Sequence, residues 1–346
     1  MLAISLAERG ILPDAILRLG IRALLRERLR QIDAVDCERG LERHQGFLAE
    51  ARRSPIALAT DAANRQHYEV PAAFFELVLG PHLKYSCAHW TRGTRDLAQA
   101  EAQMLERVGL RAQLEDGQRV LDLGCGWGSF SLWCAKRFAK SRVLATSNSK
   151  SQAEFIQRSA DRASIQNLSV VTADVNSFDP EQRFDRIVSV EMFEHVRNHA
   201  ALLARIARWL DPKGLLFVHH FAHRSAAYPF ETEGEDDWMG RNFFTGGMMP
   251  SDDWLLAFQD DLAVRARFRV DGTHYQKTSE AWLARLDQNA ALALPILRDS
   301  YGAGEERLWL QRWRLFFLGC SELFGYRGGQ EWWISHVTLG HREGER

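Results

Sequence analysis

Val120-Leu-Asp-Leu-Gly-Cys-Gly-Trp-Gly128 is an apolar strand pattern running directly into Asp-x-Gly-x-Gly-x-Gly, and Ser129 to Phe138 behind it has helical spacing. A strand that closes on spaced glycines lets backbone approach a ligand, and the next helix's free N–H groups favour an electronegative part of it. A dinucleotide loop is spaced differently, as G-x-G-x-x-G with an acid about 20 residues further on. Here Gly124, Gly126 and Gly128 alternate strictly, and the next strand, Arg142 to Thr146, ends without an acid. The stretch points to S-adenosylmethionine rather than NAD, with Asp122 ahead of the glycines strengthening the match; the bland alternative is a glycine turn in an unrelated α/β protein.

Outward from that stretch the pattern alternates between strand and helix. Arg119 to Leu123, Arg142 to Thr146, Leu168 to Thr172, Arg186 to Val190 and Leu215 to Phe221 read as strands, with helices at Ser129 to Phe138, Ser151 to Ala163 and Ala200 to Trp209. Such alternation predicts a parallel sheet with helices on both faces and a ligand at the carboxyl ends of the strands. Those ends carry Asp122 and its glycines, Thr146-Ser147-Asn148, Ala173-Asp174, Glu191 and His219-His220, so polar residues gather on one rim.

Before this core, Ile11 to Arg30 reads as a basic amphipathic helix, which suits either a membrane surface or, more commonly, packing on its own domain with the arginines in water. Helical sequence continues to Arg53, and the stretch from Ser54 to Asn64, with Pro55, reads as a break. The expected organisation is therefore a helical region over 1–60 and a core over 61–346, with a substrate-covering insertion at about 222–300. The run from Glu231 to Asp237 reads as a solvated acidic loop or, functionally, as an attractor of a cationic substrate.

Composition excludes more than it selects. With 44 basic and 45 acidic residues in 346, no overall field recruits nucleic acid. Five cysteines, odd in number and without a C-x-x-C pair, imply reduced thiols, a cytoplasmic setting and no metal site. No segment approaches the length of a membrane span.

Methyl transfer from a sulfonium requires nucleophile, carbon and sulfur in line, with a proton removed or excluded. Glu191-Met-Phe-Glu-His195 follows the strand ending at Val190; were the chain helical from there, Glu191, Glu194 and His195 would share one face. Two carboxylates beside an imidazole could accept an ammonium proton and stabilise the cation, although helix-start carboxylates serving the macrodipole with a capped histidine fit equally well.

Several segments resemble a known family. The glycine stretch, His67-Tyr-Glu-Val-Pro71 and Leu79-Gly-Pro-His-Leu-Lys-Tyr-Ser-Cys-Ala-His-Trp90 are similar to the cyclopropane-fatty-acid synthase superfamily of S-adenosylmethionine enzymes. Val190-Glu-Met-Phe-Glu-His195, Leu216-Phe-Val-His-His-Phe221, Asp236-Asp-Trp238, Phe243-Phe-Thr-Gly-Gly247, Phe258-Gln-Asp-Asp261, Gly272-Thr-His-Tyr275 and Glu322-Leu-Phe-Gly-Tyr326 resemble its branch of coclaurine and related benzylisoquinoline N-methyltransferases, from about Gly10 to His341.

The resemblance implies an α/β class I methyltransferase fold: a Rossmann-like seven-stranded sheet with an N-terminal helical cap and an active-site insertion. It implies that Tyr85 and Ser86 touch the methionine part of the cofactor, Asp122, Gly124 and Gly126 form its loop, Asn148 and Gln152 meet the ribose side, and Asp174 with Val175 the adenine. Glu191, Glu194 and His195 then handle the amine, and His219, Phe221, Trp238, Phe244 and Trp332 are substrate-pocket candidates. The product cofactor would be S-adenosyl-L-homocysteine and the partner a small cyclic or aromatic amine; membrane contact is not favoured and a homodimer is compatible.

One departure bears on the branch. The lipid cyclopropane synthases hold a bicarbonate with a cysteine, a glutamate, a histidine and a tyrosine, and Cys87, Glu191 and His219 match the first three. Matching Trp313 to Phe324 to the family's late helix puts Phe316 at the tyrosine's position, which lacks the phenolic donor. On that matching the amine reading leads, methylenation or methylation of an unsaturated acyl chain follows, and a non-catalytic cofactor-binding protein is third.

Overall fold

The computed structural model describes residues 2–32, 36–58, 70–234 and 237–342. Parts of the Ser54 to Asn64 break, of the His67 to Pro71 motif and of the acidic run, including Asp236, lie outside the described residues.

Three helices come first, α1 (Leu2–Glu8), α2 (Asp14–Gln31) and α3 (Cys37–Arg53), then α4 (Ala72–Val78) and α5 (Leu97–Arg111). The alternating core follows as β1 (Arg119–Leu123), α6 (Ser129–Arg137), β2 (Arg142–Ser147), α7 (Lys150–Arg162), β3 (Leu168–Thr172), β4 (Phe184–Val190), α8 (His199–Trp209) and β5 (Leu210–His223). Local chemistry sets several starts: Asp96 accepts from the Gln99 amide at 2.8 Å to open α5, and Asn198 accepts from Ala201 at 3.0 Å to open α8.

The seven-stranded sheet has the order β3-β2-β1-β4-β5-β9-β8, where β8 is Leu262–Val270 and β9 is Trp332–His341. Strands β1 to β5 pair in parallel, and β9 runs antiparallel to both its neighbours. Successive residues face opposite sides. Val120, Val188, Phe217 and Ile334 pack into one core, and Leu121, Ile187, Val218 and Val337 into the other.

The stretch 222–300 divides rather than forming one insertion. Part of it caps the rim, through the short ribbon of β6 (Tyr228–Pro229) and β7 (Met248–Met249) and the helix α9 (Trp238–Asn242). The rest is β8, which forms the edge of the main sheet, and α10 (Gly272–Gln288), followed by α11 (Ala290–Tyr301). The long α12 (Glu306–Gly325) then packs against α10.

The basic helix α2 lies on its own domain. Leu17 and Leu29 are buried, Arg18 pairs with Glu280 at 2.6 Å and with Glu322 at 3.0 Å, and Arg22 also reaches Glu322. Pairs with partly exposed arginines add little to stability; they fix which face of α2 turns inward. No helix among the described residues is long and apolar enough to cross a membrane.

Candidate active site

The carboxyl ends of β1, β2, β3 and β4 open into one cleft, and Tyr85, Ser86, Asp122, Gly124, Gly126, Asn148, Gln152, Asp174 and Val175 all lie in its wall. The loop after β1 owes its path to glycine. Gly124 has φ +83°, and a Cβ there would stand 2.5 Å from Met192 Cγ. Beside Gly126 nothing lies within 4 Å, so backbone there faces open space that a ligand can enter.

Asp122 is buried under this loop, bonded by the Ser131 hydroxyl. Burial pushes its carboxyl up to about 7, against the pull of Ser131. The opposite wall is the loop carrying Tyr85 and Ser86, tied down by Glu101, whose carboxylate accepts from the Gly80 and His82 amides at 3.0 Å each. Burial raises Glu101 to about 7 as well, opposed by those amides and by Lys84.

A nucleoside-bearing amino-acid cofactor fits this cleft. Open space beside the loop is flanked by the buried Trp127 Nε1 and Ser129 Oγ, which lack hydrogen-bond partners among the described residues, and by Asp174, which holds the Asn176 amide at 2.7 Å through one carboxylate oxygen.

The second half of the site begins at Glu191. Helix does not continue from Val190: Glu191 sits at φ +50°, and a short 3-10 turn spans Phe193–His195 before α8 starts at His199. The expected shared helical face is therefore replaced by a kink that divides the three groups. Glu191 and His195 line the cleft, whereas Glu194 points behind it, accepting from the Phe221 amide at 2.6 Å. A non-glycine residue held at positive φ costs on the order of 1–3 kcal/mol and persists only where its surroundings over-determine it.

The surroundings of Glu191 do so. Oε1 accepts from the Cys87 amide at 2.8 Å and lies 3.1 Å from His219 Nε2, and Oε2 accepts from the Tyr275 hydroxyl at 2.6 Å. Burial raises the Glu191 carboxyl, opposed first by the Lys84 ammonium and then by the Tyr275 and Cys87 donors. Glu194 is raised further, by burial and then by the Glu191 charge. His195 is pushed down to about 4 by burial, partly offset by Glu191, so its imidazole is neutral near pH 7. Its ring stacks at 16° on Phe244, 5.8 Å between centroids, and Phe221 and Phe316 complete the apolar side.

Two expectations need correcting. Trp238 and Trp332 are absent from the cleft wall: the Trp238 indole donates to Glu8 at 2.9 Å, and Trp332, fully buried in β9, donates to the Tyr228 hydroxyl at 3.1 Å. His219 also stands back from the cleft and reaches it through Glu191. The missing phenol is not missing. Phe316 stacks on Phe243 at 4.4 Å, and Tyr275 from α10 brings its hydroxyl to Glu191, so Cys87, Glu191, His219 and Tyr275 stand together. Matching by the late helix failed because the hydroxyl enters from a helix about 40 residues earlier in the chain. Sequence reading also missed Lys84, buried with its ammonium on the Cys87 carbonyl at 2.8 Å; a lysine among apolar residues in a quoted motif was the available signal.

The sequence profile of the mycolic acid cyclopropane synthetase family matches residues 58–330. The (S)-coclaurine N-methyltransferase of Thalictrum flavum subsp. glaucum is 37% identical over 336 residues, covering 96% of this chain and 93% of that protein. The cyclopropane-fatty-acyl-phospholipid synthase of Escherichia coli strain K12 is 28% identical over 272 residues, covering 78% and 66%. A solved coclaurine N-methyltransferase bound to N-methylheliamine and SAH superposes with a TM-score of 0.94 at 35% identity, covering 98% of each chain.

Proposed function

Because this chain belongs to the mycolic acid cyclopropane synthetase family and is an S-adenosylmethionine-dependent methyltransferase, we propose that it N-methylates a small cyclic amine through Glu191 and His195. The observation that carries this is the placement of the Glu191 carboxyl, held by the Cys87 amide and the Tyr275 hydroxyl, and the His195 imidazole beside an apolar wall, in the same cleft as the glycine loop. The cofactor, when bound, supplies an electrophilic sulfonium methyl. Tyr85, Ser86, Asp122, Gly124, Gly126, Asn148, Gln152, Asp174 and Val175 are proposed to hold it.

A secondary amine near the lysine reference, about 10.4, is protonated in water. His195, at about 4, is too weak a base to hold that proton. The apolar wall of Phe221, Phe244 and Phe316 disfavours the charged amine while the Glu191 carboxylate favours it, and since only the neutral amine carries the lone pair, the amine gives its proton to water before it reacts. Its N–H donates to His195, which turns the lone pair toward the methyl donor. Methyl transfer to the lone pair would leave nitrogen as an ammonium and sulfur as a neutral thioether, with the N–H proton carried off on the product. Positive charge thus moves toward nitrogen, where the fixed Glu191 carboxylate stabilises it. Glu194 positions this turn from behind through the Phe221 amide.

A second reading is methylenation of an unsaturated acyl chain, favoured by the complete set of Cys87, Glu191, His219 and Tyr275. Against it, the three donors are already engaged by the Glu191 carboxylate. The ion pairs of α2 with its own domain speak against a membrane-facing role for that helix, and five free cysteines accord with a reducing, cytoplasmic setting. Incubation with trideuteromethyl S-adenosylmethionine, tetrahydroisoquinoline and unsaturated phospholipid vesicles separates the readings. An amine carrying three deuteriums is expected; a lipid carrying two overturns the proposal.

A further inference from the structure

Behind Glu191 a line of side chains leaves the cleft and crosses two strands. His219 Nδ1 lies 2.9 Å from His336 Nε2, and His336 Nδ1 lies 2.7 Å from an Arg111 guanidinium nitrogen at the end of α5. His219 and His336 are register partners in β5 and β9 and are fully buried, while Arg111 is half-buried over the Phe268 ring. The amine chemistry uses neither Arg111 nor His336.

The line has a fixed direction. A guanidinium only donates, so His336 Nδ1 must accept and its proton sits on Nε2. That proton points at His219 Nδ1, which therefore accepts and carries its own proton on Nε2, aimed at Glu191 Oε1. Reversing the line would place a proton on Glu191 Oε1 and another on His336 Nδ1, where it would meet the Arg111 N–H donor to donor. The same logic excludes proton export by this route, because arginine cannot take up the last proton. We propose that Arg111 and His336 are positioning residues that lock the His219 tautomer and so keep Glu191 an anion facing the amine. This rests on the reading of Glu191 as the counter-charge of the site.

Burial holds both histidines well below their ordinary value and hence neutral, as the line requires. The groups facing Glu191 are Lys84 and Cys87 from the preceding loop, Glu194 and His195 from its own turn, His219 from β5, Tyr275 from α10 and Cys320 from α12. None of them replaces the donor at His219 Nε2 if that ring changes tautomer.

The test pairs a spectrum with a rate. Nitrogen-15 spectra of histidine-labelled protein should show His219 and His336 as Nε2–H tautomers, and Arg111→Met should change the tautomer signature of His336 and His219. Turnover of tetrahydroisoquinoline by Arg111→Met, relative to wild type, should be about tenfold low near neutral pH and recover as pH rises, since more of Glu191 then ionises without the lock. His336→Leu should behave alike, and His336→Gln, which keeps an N–H for His219, should stay near wild type. Arg111 lies outside the sheet, so its variant serves if His336→Leu fails to fold. Nδ1–H tautomers in the wild type, or an Arg111→Met ratio that is unchanged or independent of pH, would overturn the proposal. If the wild type methylates no amine, the reading of the site fails, while the spectra still decide the lock.

Discussion

The cofactor half and the amine half of this cleft are built in opposite ways. The proposed cofactor half hangs mostly on strand ends: Asp122 at the end of β1 with Gly124 and Gly126 after it, and Asn148, Gln152, Asp174 and Val175 after the next two strands along the sheet, with Tyr85 and Ser86 alone coming from a separate loop. The amine half is assembled from distant segments. Cys87, Glu191, His219 and Tyr275 meet at one carboxylate, with His336 and Arg111 behind them. A cofactor shared by many enzymes can be held by a local motif, whereas the anion that selects the acceptor needs donors from every side to survive burial.

The largest effect should come from the amine half. Glu191→Gln replaces an acceptor-only carboxylate by a neutral amide whose NH2 takes one of the two oxygen positions, facing either the Cys87 and His219 donors or the Tyr275 hydroxyl, and kcat should fall by about 10³. Steady-state turnover at saturating cofactor measures this, and a fall below tenfold would break the comparison. His195→Ala should lower kcat by about 10², and Glu194→Gln by less, since Glu194 acts from behind the wall. Equal losses in the two would mean that the turn works as one unit.

In the cofactor half, Asp122→Ala strips the floor from the loop and leaves the Ser131 hydroxyl unpaired. Affinity for S-adenosylhomocysteine should drop about tenfold by calorimetry, with kcat at saturation nearly kept. The reverse split would exchange the roles of the two halves.

The smallest effect is on stability against pH, where buried histidines and the buried Asp122 carboxyl act with opposite sign. His195 at about 4, His199 at about 3 and His220 at about 4 have folded values below the ordinary 6.5, so the stability they contribute is present above 6.5 and is lost progressively as pH falls from there through the folded values. Asp122, at about 7 when folded, lies above its ordinary 3.8, so the folded chain binds its proton more tightly and stability declines as pH rises between the two. Asp122→Asn removes that opposing slope. Urea midpoints from about pH 5 to about pH 7 should then climb more steeply than in the wild type, and an unaltered slope would contradict the assignment.

How much could be read beforehand follows the same division. Strand and helix spacing placed β1, β3 and α6 within a residue or so, because each is a local pattern read against one buried face. The stretch 222–300 misled because β8, with its charged Arg265, Arg267 and Arg269, is an edge strand whose pairing partner, β9, lies some 60 residues on. Glu191, Glu194 and His195 were visible as types but not as an arrangement, since nothing local says that Glu191 takes a positive φ. Tyr275 stood in the quoted Gly272-Thr-His-Tyr275 stretch without a role, and His336 and Arg111 carry no local signal; only the sheet order and the packing of α5 and α10 bring Tyr275 to the carboxylate and line the other two up behind it.

The division of labour is tested most directly by the S-adenosylhomocysteine affinity of Glu191→Gln, measured by calorimetry on the same sample whose turnover has been lost. Wild-type affinity in an inactive protein is the predicted result. An affinity that falls in step with turnover would show that Glu191 holds the cofactor rather than the acceptor, and would contradict the account.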